Sequence, residues 1–273
     1  MILLHVTVVA LYGLAAYALW PVTAGRRTST RAGDRLPAGA AGWLLPAALV
    51  LHAWLAYRNV VTPEGLDLSF ANAVSVVAGL VAAVAWISGL LATLPAIGTV
   101  VLPIGAAASF LPALVSSAHR FSFGGDMLAA AHVAVALVSY AMFLVAAVQA
   151  LVLMGLEKRL RRRLPEPESV AVPPLLTLER FLFRLVAVGF LLLTLTLASG
   201  MLFTEQLFGK PLMFNHKSVF SVLGWLTFGA LLAGRWRYGW RGRVALRWII
   251  AVTVFVFLAY LGSKFVLEVL LGR

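Results

Sequence analysis

The sequence predicts an all-α, polytopic membrane protein of eight transmembrane helices, with the N-terminus and the C-terminus both outside. Three observations carry this expectation. Of the 273 residues, 62% are hydrophobic and only 12% charged, and the mean hydropathy is +0.97. A water-soluble domain of this length needs far more polar surface. The apolar residues also fall in blocks, each long enough to supply the roughly 20 helical residues that cross a hydrocarbon core. Finally, fifteen of the 22 lysines and arginines lie in three connections that an eight-span chain places on one side.

The first block, 2–20, reads ILLHVTVVALYGLAAYALW. No basic residue precedes it, whereas Arg26, Arg27, Arg31 and Arg35 follow. A secretory signal has the reverse order, so this block is expected to be a retained span that starts outside. Further blocks follow at 42–58, 69–92 and 95–117, the last two separated by ATLPAIG, where Pro95 and Gly98 suit a tight hairpin. The fifth and sixth, 127–155 and 179–203, flank LEKRLRRRLPEPESVAVPP, which is basic and then proline-rich. It suits a solvated loop with an orientation signal; docking on anionic lipid or a partner is the other reading. The last two, 217–235 and 246–270, flank Arg235, Arg237, Arg241 and Arg243.

The positive-inside rule makes the arginine-rich side the cytoplasm. The opposite connections hold Glu64, Asp67, Asp126 and Glu205. Trp20, Trp43, Trp236 and Trp240 fall near the inner boundaries, as interfacial anchors do. No connection is long enough for a second domain, so residues 1–273 are expected to form a single transmembrane domain, in a multi-pass protein of the bacterial inner membrane. The net charge of +12 is accounted for by orientation and implies no nucleic acid.

The chain has no cysteine, which excludes disulfides, thiolate metal sites and thiol redox chemistry. It has no Walker loop, no zinc-protease helix and no carboxylate in the middle of a span, so neither hydrolysis nor carboxylate-based pumping is expected. The chain is read as lacking catalytic residues, and not as an enzyme.

Five histidines remain, and all map to the outer half of the spans. His132 lies about five residues into its block, on the order of 8 Å below the helix start. An imidazole at that depth needs a partner, an aqueous pocket or a metal. It reads either as a histidine hydrogen-bonded to a neighbouring helix or as an axial ligand of haem iron. In FNHKSVFSVLGW, Asn215 suits an N-cap, with Lys217 snorkelling to the interface. The functional reading of the same segment makes His216 a second imidazole facing the cavity of His132, with Lys217 beside a haem propionate. His52, in LVLHAWLAYRN, is a third polar group of the bundle or of that site. His5 and His119 are expected at the surface.

The C-terminal half carries a resemblance. PPLLTLERFLFRLVAVGFLLLTLTLASG, VFSVLGWLTFGALLAGRWRYGWRGR and VFVFLAYLGSKFV occur in order after AHVAVALVSYAMFLVAAVQALVLM. Over about residues 127–273 they resemble the CcsA and CcmC type of the cytochrome c assembly family, and residues 1–126 fit its short HemX-like or YpjD-like branch. The resemblance implies haem as cofactor, handled at the outer (periplasmic) face, and cytochrome c maturation proteins as partners. It makes His132 the family's outer ligand. The family's tryptophan-rich loop is replaced by FTEQLFGKPLMFNHKSV, which lacks tryptophan and Asp; its membrane histidine falls at Ala233, and its second outer histidine near Leu271. Full synthetase activity is therefore not expected. The alternative is a membrane-embedded regulator or scaffold of haem biosynthesis or of another membrane protein. Besides the lipid bilayer, its partners would then be haem-biosynthesis proteins.

Overall fold

In lipid every backbone polar group must be paired within the protein, so long apolar runs resolve into helices. In the computed structural model the described residues are 2–23, 38–63, 65–91, 97–115, 120–121, 127–162, 174–202, 216–258, 260 and 265. They form eight helices: α1 (Ile2–Thr23), α2 (Ala38–Val60), α3 (Phe70–Leu91), α4 (Ile97–Leu114), α5 (Met127–Arg161), α6 (Leu175–Leu202), α7 (His216–Tyr238) and α8 (Arg243–Phe257). Each corresponds in order to one expected block. Four of them are long and apolar enough to cross a membrane over Phe70–Leu90, Met127–Arg161, Leu175–Leu202 and Val219–Tyr238.

The boundaries differ where polar residues continue a helix. The fifth block was expected to end at 155, but α5 runs to Arg161, its last turn held by the Glu157–Arg161 ion pair at 2.7 Å. An i,i+4 pair of this order supports a helix that has left the apolar phase. The sixth begins at Leu175, four residues early. The turn proposed at Pro95 lies outside the described residues, as do Asn215 and His119.

The helices close into two rings. In the first, α1 packs on α2, α2 on α3, α3 on α4 and α4 back on α1; in the second, α5, α6, α7 and α8 repeat that order. The rings meet along α3 and α5. The first core is built from small and medium side chains, among them Val8, Ala15, Ala48, Ala82 and Ala106 around Tyr12. Small residues let helices approach closely where lipid supplies no hydrophobic drive. The second core centres on Phe143, whose ring stacks on Phe228 at 4.0 Å between centroids.

Gly189 of α6 lies directly against the Phe143 ring: a Cβ there would stand 2.9 Å from Cε1. Because that ring is pinned by Phe228 on its other contact, it has little freedom to retreat. Gly189→Ala is expected to destabilise the protein by about 1–3 kcal/mol, the usual cost of overpacking. Thermal melting of the detergent-solubilised variant checks this; a wild-type transition would show that the ring yields.

Side-chain bonds across α5 and α6 give the antiparallel register. His132 pairs with Ser199, Ser139 with the Gly189 carbonyl and Gln149 with the Leu178 carbonyl, so partners recede on α6 as positions advance on α5. Three short strands, which the hydropathy blocks did not disclose, cover one end: β1 (Val61–Thr62), β2 (Gly65–Asp67) and β3 (Arg120–Phe121), antiparallel in that order. β1 and β2 form a hairpin between α2 and α3, and β3 brings the α4–α5 connection to the same end.

The opposite end carries the arginines. There Glu179 accepts from Arg235 at 2.9 Å and from the Gly242 N–H at 3.3 Å, while the Arg235 guanidinium lies 4.5 Å over Phe183. Gly239 and Gly242, at φ 64° and 73°, allow the tight link from α7 to α8. Trp43, Trp236 and Trp240 are exposed near this end, as expected of anchors.

Candidate functional site

Alternating helix direction sends α1, α3, α5 and α7 away from the strand-covered end and returns α2, α4, α6 and α8 to it. His5, His132 and His216 stand at or near the starts of odd-numbered helices, and His52 in the second half of α2. All four therefore map to one end, opposite the arginines. Their surroundings are not equivalent.

His52 is 1% exposed, enclosed by α1, α2 and α3. Its Nδ1 lies 3.0 Å from the Tyr12 hydroxyl and its Nε2 3.0 Å from Ser75 Oγ. A Cβ at Gly79 would stand 3.2 Å from the ring, so α3 offers a bare backbone where the imidazole packs. With both nitrogens committed to hydroxyls, this histidine is a buried hydrogen-bonding hub of the first ring. Its contacts give no support to the expectation that it serves a cofactor.

His5 corrects a second expectation. It is 3% exposed rather than at the surface, because the first turn of α1 is covered by the last turns of α4. Its Nδ1 donates to the Ser109 carbonyl at 2.6 Å, and Phe110 meets its ring edge-on. Tyr12, Ser75 and Ser109 were not singled out from sequence. A signal existed for the first: His5, Val8, Tyr12 and Ala15 recur at helical three- and four-residue spacing, and all four are buried.

His132 belongs to the second ring and is half-buried. Its Nδ1 lies 2.7 Å from Ser199 Oγ on α6, and a Cβ at Gly200 would reach 3.4 Å from its Cε1. The ring is thus oriented by one nitrogen against the end of α6. His216 is the first residue of α7 and Lys217 the second; their side chains lie outside the described residues. α7 packs on α6 and α8, while Phe143 of α5 reaches it through Phe228. Deeper in the second ring, Tyr140 stacks on Tyr260, and Trp225 donates to Thr194 at 2.8 Å.

Among the described residues no three His, Asp or Glu side chains gather as a metal-ion cage. A single oriented imidazole does suit iron held in a porphyrin, which takes four nitrogens from its own ring and one or two from protein. The residues present therefore fit haem and not a naked cation.

A family model described as cytochrome C assembly protein matches residues 43–271, beginning well before the segments that carry the resemblance in the sequence. The inner membrane protein YpjD of Escherichia coli K12 is 34% identical over 139 residues, 51% of this chain and 52% of that protein. A 28.8 kDa protein of Azospirillum brasilense, described as uncharacterized, is 36% identical over 141 residues, 52% of each chain. The cytochrome c biogenesis protein CcsA of Thermosynechococcus vestitus is 28% identical over 211 residues, 62% of this chain and 66% of that one. The chain spans about half the length of the first two of these relatives. No solved structure matches.

Proposed function

The chain belongs to the cytochrome c assembly protein family, as a multi-pass helical protein of the inner membrane, and from that premise we propose that it binds or hands on haem at the periplasmic face. The observation that carries this reading is the placement of His132: half-buried, oriented through Nδ1, at the histidine end of the second ring. Haem bound there would supply the iron chemistry that cytochrome c assembly delivers. His132 would hold the iron, with His216 as second ligand and Lys217 beside a propionate. No residue of the chain is assigned a catalytic step.

A second reading, regulator or scaffold without haem transfer, is favoured by one feature. The segment FTEQLFGKPLMFNHKSV between α6 and α7 has neither tryptophan nor Asp. The cofactor test separates the two. Purified wild-type protein is expected to show haem absorbance, intrinsic or after loading with hemin; a protein that takes up none under either condition is not a haem handler. The same proposal places the strand-covered end outside, with eight spans and both termini there. Reporter fusions at about residues 30, 165 and 240 should read cytoplasmic, and those at about 62, 122 and 210 periplasmic. Inversion at any two positions would refute that orientation.

A further inference from the structure

We propose that Ser199 is a positioning residue that fixes the tautomer of His132, holding the proton on Nδ1 and leaving the lone pair on Nε2. The tautomer follows from the hydrogen bonds alone; what Nε2 then binds rests on the haem reading above.

The Ser199 hydroxyl has one hydrogen and two close polar neighbours. One is the Thr196 carbonyl oxygen of its own helix at 3.1 Å; the other is His132 Nδ1 at 2.7 Å. A carbonyl oxygen only accepts, so the single hydroxyl hydrogen is spent on Thr196. The Ser199 oxygen then has lone pairs to offer, and the short contact to His132 is satisfied when Nδ1–H is the donor. A neutral imidazole protonated at Nδ1 carries its lone pair on Nε2.

The same helix repeats this arrangement where the direction is not open to choice. Thr194 Oγ1 donates to the Phe190 carbonyl at 2.8 Å and receives the Trp225 Nε1–H at 2.8 Å. An indole nitrogen can only donate. Two α6 hydroxyls, five residues apart, thus each spend their hydrogen on their own backbone and offer a lone pair to a ring N–H. One faces α7, the other α5. His52 is different: both its partners are hydroxyls, which can donate or accept, so neither of those two bonds by itself dictates a tautomer.

Gly200 complements Ser199. Its missing side chain leaves the Cε1 edge of His132, between the two nitrogens, without a covering group from that residue. The pair Ser199–Gly200 therefore grips one nitrogen and keeps the adjoining edge bare. A metal-binding histidine is held in this way, with the outer nitrogen donating and the inner one ligating.

Two measurements on the full-length protein in detergent test this. In protein without haem, labelled with 15N-histidine, the His132 signals are assigned by their loss in His132→Ala. They are expected to report Nδ1–H in wild type and a shift towards a tautomer mixture in Ser199→Ala. A wild-type Nε2–H form, or signals unchanged in Ser199→Ala, overturns the proposal whatever binds there. In hemin titration, Ser199→Ala is expected to lower affinity about tenfold and to lower the iron–histidine stretching frequency of the ferrous protein, while Ser199→Thr restores both. Unchanged affinity and frequency in Ser199→Ala, with affinity lost in His132→Ala, overturns the ligand-positioning role. Unchanged binding in His132→Ala instead removes the haem reading and leaves the tautomer result standing. If Ser199→Ala fails to elute as wild type, Ser199→Cys, a weaker acceptor of similar size, takes its place.

Discussion

Haem recovered with His132→Ala is expected to fall roughly tenfold or more below wild type, because the variant removes the side chain proposed to hold the iron. Ring removal here leaves Ser199 half-exposed and bonded to Thr196, so it strands no deeply buried partner. The loss should therefore show in the cofactor and not in folding, with elution and melting close to wild type. His216→Ala is expected to behave differently. If it is the second ligand, the haem stays but turns from low-spin, six-coordinate to high-spin, five-coordinate. Pyridine haemochrome quantitation and the absorbance spectrum read both. Equal haem content in wild type and His132→Ala would take this residue out of the site, and an unchanged low-spin spectrum in His216→Ala would return His216 to the role of a helix start.

The largest effect on stability is expected at His52. His52→Ala removes two interhelical hydrogen bonds, each worth about 0.6–1.7 kcal/mol in membrane proteins. It also empties a ring-sized space, and large-to-alanine changes in a core cost about 2–5 kcal/mol. Packing is thus at least as important as bonding here. The neighbours cannot easily close the gap, since the Gly79 backbone is already against the ring. His52→Ala should melt well below wild type and below Tyr12→Phe, which removes one bond and no volume. Haem content per folded molecule should not change, because His52 belongs to the first ring. A Tyr12→Phe protein as unstable as His52→Ala would mean that the hydrogen bond, and not the packed ring, dominates. Haem loss confined to His52→Ala would instead restore this residue to the cofactor.

Much of the architecture was legible without coordinates. Apolar block length, with the demand that lipid places on backbone polar groups, leaves helices as the solution for each block. Eight blocks became eight helices. The segregation of arginines from histidines along the chain became their segregation to opposite ends, because alternating helix direction converts loop parity into sidedness. Boundaries were less legible. Hydropathy reports where a helix leaves lipid, not where it ends, and α5 continues to Arg161 on the strength of a local ion pair.

Composition and motif determined that this is a helical membrane protein of the cytochrome c assembly type, with His132 as its prime candidate. Only the tertiary structure decided which histidines are structural. His5 and His52 look as polar in the sequence as His132, and each sits in a span. What separates them is the neighbouring helix: a carbonyl of α4 against His5, two hydroxyls and a bare glycine around His52, a back-bonded serine beside His132. An imidazole's role depends on which of its nitrogens is spent and on whether the ring is enclosed. Those partners lie from 23 to 104 positions away in the chain. No local spacing encodes such contacts, because the closure of each four-helix ring brings them together.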